Sequence, residues 1–322
     1  MTVPPRETGS ALLTVLLLVA VMATIAATAL DRLSVGTRLA ANVATVGQAR
    51  AWLGSAELLA VTRIEDMLGA DQAQTLASGW LGAERTISLP DGATVKARVE
   101  DGGNCFNLNS LVEQPSGGGL AARPVAQRQF TALMQLLGIG EGEASQIAAS
   151  ATDYIDSDSA PLPGGAEDGP AGALSANRKM ADPSELRAVP GVSDRHYKLL
   201  KPWICALPIA ELSPINVNTL LPEQAPLLAM LVPGRLDTAG ARALIATRPA
   251  DGYGSVVAFW QQPPLASIEA PSEVTQQTKV RTSFFKLRAR VDAATVSAGE
   301  TALIDARRTP AQIVRRSFGE EG

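Results

Sequence analysis

Residues 10–30 of the 322-residue chain carry no charged side chain, and this run dictates the first element of any fold the chain can adopt. Wound as a helix at ~1.5 Å per residue it reaches roughly 30 Å, the thickness of a bilayer's hydrocarbon layer. A polar leader, residues 1–9, precedes it and ends in Gly9. The apolar character does not stop at Leu30. No proline follows before residue 63, and Leu33, Leu39, Val43, Val46, Leu53 and Leu58 recur at mostly helical spacing. One continuous helix that leaves the membrane and turns amphipathic accounts for both halves. A cleaved signal peptide is the competing reading, because Ala27-Thr28-Ala29 is a small-x-small cleavage site. That reading gives no reason for the continuity. Flanking charge does not decide between them, since Arg6 is offset by Glu7 while Arg32 and Arg38 follow the span.

The rest of the chain is long enough for two domains. Only 4% of residues are aromatic, so a core must be built from Leu, Val, Ile and Ala. A formal net charge of −4 leaves no basic footprint for nucleic acid. Residues 86–89 and 93–99 alternate around Pro90-Asp91-Gly92 and predict a β-hairpin. Residues 283–291 and 300–306 are strand-like, separated by Ser297-Ala298-Gly299, and residues 312–318 predict a last edge strand. Between them, from about residue 115 to 276, the period becomes helical. Phe130, Leu133, Met134, Leu136 and Leu137 mark one helix, ended by Gly138 and Gly140. Asp182-Pro183-Ser184-Glu185 is a helix start with a capping Asp, Pro at the first position and Glu three residues after the cap. Residues 222–231 and 238–247 predict further helices, each too short to stand alone. The pattern is α+β: a helical domain inserted into a small sheet domain. Residues 106–111 (FNLNSL) and 215–220 (INVNTL) each precede a helical block, a weak repeat that two modules resembling SAM-like folds would explain.

The sharpest chemical feature is acidic. Between Arg128 and Arg178 there is no Lys or Arg, while Glu141, Glu143, Asp153, Asp156, Asp158, Glu167 and Asp168 accumulate. The turn at residues 161–165 (PLPGG) can fold Glu167 and Asp168 back on Asp156 and Asp158. Hard oxygen donors without His or Cys suit Ca²⁺, which takes six to eight oxygens in flexible geometry; Mg²⁺ demands a stricter octahedron. The spacing is not that of an EF-hand. A merely solvated acidic loop is the plain alternative. No catalytic set emerges: His196 is the sole histidine, and neither a Gly-x-Ser-x-Gly elbow nor a phosphate loop occurs. Residues 181–191 and 215–219 look like helix-hairpin-helix modules of DNA-binding proteins, but acidic surroundings argue against phosphate.

The leader ending in Gly9, followed by an uncharged span that runs into a long helix, resembles the prepilin class, whose leader is removed after the glycine while the span stays. The resemblance implies a prepilin-peptidase cut between Gly9 and Ser10. Thr14 is then the fifth mature residue, where most members carry a Glu that pairs with a neighbouring subunit's amino terminus; a carboxylate in hydrocarbon needs such a partner. That missing Glu, with residues 107–109 (NLN), 153–158 (DYIDSD), 176–186 (ANRKMADPSEL) and 215–219 (INVNT), resembles the type II secretion minor pseudopilin K family. Tyr154, where a Trp is expected, and Ser10 as first mature residue depart from the pattern.

The resemblance implies an order of parts: leader 1–9, transmembrane helix 10–30, periplasmic helix and first pilin-like strands 31–112, a first SAM-like module with the acidic loop 113–210, a second module 211–280, and return strands 281–322 of the pilin-like antiparallel sheet. It implies a structural, non-enzymatic subunit in the inner membrane with its bulk in the periplasm, capping the pseudopilus tip beside minor pseudopilins I and J. It also implies a calcium site, carried over here to Asp156, Asp158, Glu167, Asp168 and Asn177. Cys105 and Cys205 are the only cysteines; an even count and an oxidising compartment favour a disulfide, with separate buried thiols as the alternative. The rival class is a secreted calcium-dependent binding or DNA-uptake module whose N-terminus is removed at Ala29.

Overall fold

The computed structural model describes residues 10–69, 74–89, 92–167, 175–293 and 296–319. Gly9 and Asp168 lie outside the described residues. Helix α1 runs unbroken for 60 residues, Ser10–Gly69, a few residues further than its apolar spacing predicts. Its first part is long and apolar enough to cross a membrane, with a mean hydropathy of 2.5 over the most apolar window. From Ala49 onward the helix buries one face: Ala49, Leu53, Ala56, Glu57, Ala60, Ile64 and Met67, at three- and four-residue spacing.

That face lies on a five-stranded antiparallel sheet of β1 (Glu84–Ser88), β2 (Thr94–Asp101), β3 (Phe284–Ala293), β4 (Val296–Asp305) and β5 (Gln312–Phe318), ordered as in the chain. Leu53 and Ile64 of α1 pack with Val95, Val99, Phe285, Leu287, Val291 and Ile304, the aliphatic core that scarce aromatics dictate. One sequence expectation is corrected. Ser297-Ala298-Gly299 does not separate the strands; it lies inside β4, paired with β3. Gly299 is needed there for close approach rather than for a turn, because a Cβ would stand 3.0 Å from the carbonyl oxygen of Gly319.

Three charged groups meet where α1 rests on this sheet. Arg316 of β5 donates from Nε and Nη2 to the two oxygens of Glu57, at 2.7 and 3.0 Å, and Glu300 of β4 lies 3.7 Å from the same guanidinium. Burial is the largest single influence on Glu57 and pushes it upward, but the hydrogen bonds of Arg316 and Glu300 and the Arg316 charge together hold its pKa below the ordinary value. Glu300 is pushed up to about 7, by burial first and then by the hydrogen bond and charge of Glu57. A carboxyl raised on folding binds more protons folded than unfolded, so its contribution falls as pH rises from its unfolded value, near 4.5, to about 7. Glu300→Gln is therefore expected to gain on wild type by on the order of 1–2 kcal/mol between pH 5 and 8. Parallel unfolding midpoints for both proteins across that range would exclude a raised Glu300 carboxyl.

β2 and β3 are neighbours in the sheet, Asp101 opposite Phe285, yet the chain between them is the whole helical region. Its helices are α2 (Pro124–Leu136), α3 (Glu141–Asp153), α4 (Asp194–Leu200), α5 (Ala225–Ala229), α6 (Thr238–Ala246), α7 (Val256–Trp260) and α8 (Ser272–Gln277). The predicted start at Asp182 forms its full capping box, but the element it opens is a six-residue 3₁₀ helix, Pro183–Ala188, with Val189 already extended ahead of Pro190.

The repeat is real in hydrogen bonds. Asn109 donates to the carbonyls of Met180 and Leu207 and accepts from the Met180 N–H. Asn218 donates to the carbonyls of Tyr253 and Val280 and accepts from the Tyr253 N–H. Phe106–Asn107 pairs in parallel with Ile204–Cys205, and Ile215–Asn216 with Thr278–Lys279. Each NxN motif thus clamps the return of its own helical block, and the first block begins at Phe106, ahead of residue 113. The two blocks share one core, in which Phe106 stacks on Phe130 at 4.6 Å. Cys105 and Cys205 are joined by a disulfide with Cα atoms 5.8 Å apart, packed with Phe284 and Leu303 of the sheet.

Candidate metal centre

The acidic loop starts where α3 stops. Asp153, the last residue of α3, is fully buried, and its Oδ1 accepts the Leu162 N–H at 3.0 Å. The helix end therefore reels in a loop that would otherwise extend into solvent. Gly165 makes this possible: a Cβ there would collide with Asp153 Oδ2. Ser157 fixes the near side, donating its N–H to the Leu120 carbonyl and accepting the Leu120 N–H on Oγ. Ala176 and Asn177 both donate backbone N–H to the Tyr154 carbonyl at 3.1 Å, closing the loop's exit onto its entrance.

This folding brings Asp156, Asp158 and Glu167 together, each offering a carboxylate oxygen within 4.8 Å of the others. Two oxygens on opposite sides of one Ca²⁺, each ~2.4 Å from it, stand about 4.8 Å apart, so the spacing fits a shared ion. Asp156 is buried, and among the described residues its Oδ1 has no hydrogen-bond partner. Burial, then the charges of Asp158, Asp153 and Glu167, push its pKa up to about 7. Asp153 is raised as well, again chiefly by burial. Three carboxylates so placed repel one another, and a hard divalent cation held between them would offset that repulsion.

Of the five ligands expected from sequence, the structure gathers three. Asp168 lies outside the described residues, and Asn177 is brought to the loop through its backbone, at a φ of 48°. Sequence reading did not assign the role of Asp153, which holds the loop rather than standing among the converging oxygens. Its signal was its position directly after Thr152, the helix's last internally bonded hydroxyl. The hairpin that looks like a phosphate-binding element uses its own amides: Val192 donates to the Val189 carbonyl and Ser193 to His196 Nδ1. His196 Nε2 in turn meets Glu143 at 3.1 Å, tying α4 to α3.

Known proteins sharpen this picture. The family described as type II secretion system (T2SS), protein K, matches at residues 104–209 and again at 215–281, two stretches that each open just before or at an NxN clamp. The type II secretion system protein K of Klebsiella pneumoniae is 36% identical over 266 residues, 81% of each chain. That of Pectobacterium carotovorum subsp. carotovorum is 30% identical over 323 residues, 98% of this chain and 97% of the relative. Among solved structures, the crystal structure of the GspK-GspI-GspJ complex from enterotoxigenic Escherichia coli superposes with a TM-score of 0.73 at 31% identity, covering 85% of this chain and 96% of that one. With a membrane-length helix seated on an antiparallel sheet, twin NxN-clamped helical blocks and relatives matched over most of their length, the chain belongs to the type II secretion system protein K family, minor pseudopilins that are structural components and not enzymes.

Proposed function

We propose that the chain caps a pseudopilus in the inner membrane, beside pseudopilins I and J, with its bulk in the periplasm and its helical blocks steadied by calcium on Asp156, Asp158 and Glu167. Asp168 and Asn177 complete the proposed ligand set, and the proposed processing by prepilin peptidase cuts between Gly9 and Ser10. The observation that carries the capping role is where the helical insertion leaves the sheet. Glu65, near the end of α1, accepts the Ala311 N–H at 2.8 Å, at the sheet end where β3 begins and β4 finishes. The insertion departs from that same end, away from the span. A subunit stacked beyond it would collide with residues 102–283, so this chain fits a position with nothing in front. Thr14 supports the same placement, because no carboxylate in the span requires a neighbour. The likeness to a solved chain in the GspK-GspI-GspJ complex supports the choice of partners.

Calcium acts here by holding the loop between α3 and residue 175 in one conformation, which stabilises the fold by mass action. At a concentration of about 100 Kd it adds ~2.7 kcal/mol. Titration calorimetry on the full chain is expected to show Ca²⁺ binding that Asp156→Ala with Asp158→Ala weakens by at least a hundredfold; equal binding by both proteins would discard this ligand set. Sequencing the mature N-terminus tests the anchor: Ser10 is expected first, and Gly9→Val should leave the leader attached. A mature start near Leu30 would instead support the secreted binding module.

A further inference from the structure

We infer that the adjacent Arg315 and Arg316 of β5 couple the cation-binding loop to the membrane helix, so that calcium bound in the first helical block tightens the seat of α1 on the sheet. This rests on the calcium reading above. Successive side chains of a strand point to opposite faces. Arg316 takes one face and clasps Glu57 of α1 through two hydrogen bonds. Arg315 takes the other and reaches the helical insertion, where Nη1 donates to the carbonyls of Ala181 and Ala206 at 3.0 and 3.1 Å, with Asp182 at 4.0 Å from Nε.

Those two carbonyls are not arbitrary stretches of backbone. Ala181 follows Met180 and Ala206 precedes Leu207, and both neighbours are held by the buried side chain of Asn109. Leu207 is gripped a second time, its N–H donated to Asn107 Oδ1 at 3.0 Å. Met180 lies three residues beyond Asn177, whose N–H closes the acidic loop on Tyr154, two residues before Asp156. Short stretches of chain alternating with hydrogen bonds therefore lead from the three converging carboxylates, through Tyr154, Asn177 and Met180, to Arg315, and through its neighbour to Glu57. Ordering the loop fixes Met180 and Ala181, which fixes Arg315, and a two-residue rigid step along β5 delivers that order to α1. Arg315 is a positioning residue in this scheme. Linkage makes the effect reciprocal: loosening the Arg315 strut must weaken calcium binding by the same factor that calcium tightens the seat.

Hydrogen exchange on the full chain in detergent micelles, with and without Ca²⁺, reads both ends at once. In wild type, calcium is expected to slow exchange several-fold in the loop, in β5 and in α1 residues 49–67. In Arg315→Gln the loop should still slow, the β5 and α1 response should vanish, and calorimetric calcium affinity should fall about fivefold or more. Arg315→Lys keeps the charge but not the planar fork that reaches two carbonyls, and should behave like the Gln variant; full rescue by Lys would overturn the strut. Calcium binding to wild type without any change at the α1 seat overturns the coupling and leaves the calcium site standing. No binding heat in wild type removes both. The wild-type comparison decides even if a variant fails to fold.

Discussion

Replacing Cys105 and Cys205 together by alanine is expected to lower the folding stability of the part beyond the span by about 4–5 kcal/mol. The two residues are 100 positions apart, so the bond removes a large loop-closure entropy from the unfolded chain. It also lies at the junction of the parts. Cys105 sits four residues after β2 ends, Cys205 in the strand that closes the first helical block, and Phe284 and Leu303 of the sheet pack around both. Breaking it therefore loosens the first helical block where that block packs on the sheet. Denaturant titration of the full chain in micelles, with wild type under oxidising and reducing conditions alongside, measures the difference. A loss below roughly 1 kcal/mol would mean that the clamps of Asn107 and Asn109 hold the closure without covalent help.

Asn109→Ala and Asn218→Ala are expected to separate the two helical blocks by function. Each side chain is buried and serves three backbone groups, so truncation strands two carbonyls and one N–H without water, a cost of roughly 3–5 kcal/mol for either variant. Their effects on calcium should differ. Asn109 secures Met180, just beyond the acidic loop's exit, whereas Asn218 secures Tyr253 and Val280 in the block without that loop. Calorimetry should find calcium affinity reduced in Asn109→Ala and near wild type in Asn218→Ala. An equal reduction in both would show that the blocks respond as one unit, as their shared apolar core permits.

Much of the fold was legible because it depends on local periodicity. The apolar run and the three- and four-residue spacing after it predicted α1 before any contact was known, and alternation predicted the hairpin of β1 and β2 and the edge strand β5. The failures were two. Ser297-Ala298-Gly299 has the composition of a turn, yet Gly299 is a strand residue because a distant carbonyl, that of Gly319, passes over it. Asp182 has every mark of a helix start, yet Pro190 leaves room for only a short 3₁₀ segment. In the first case the deciding contact lies outside the window in which propensity is read; in the second the stop signal, Pro190, was local and went unweighed.

For the candidate site, residue types and their order along the chain narrowed the chemistry: an acidic stretch with no Lys or Arg, no His or Cys, and a Pro-Gly turn suits a hard cation or a solvated loop. What sequence could not supply was convergence. Whether Glu167 meets Asp156 or points to water depends on a buried carboxylate at the end of α3 drawing in the Leu162 amide, and on Gly165 leaving space for it. The same division holds for the membrane helix. Its length, its lack of charge and its unbroken continuation were set by the amino acids between Ser10 and Gly69 alone, because helical backbone bonds are satisfied within the segment. That Glu57 on its buried face would meet Glu300 and Arg316, which lie more than 240 residues later, was decided by sheet order. Side chains so far apart in the chain are brought together only by the packing that excludes water from between them.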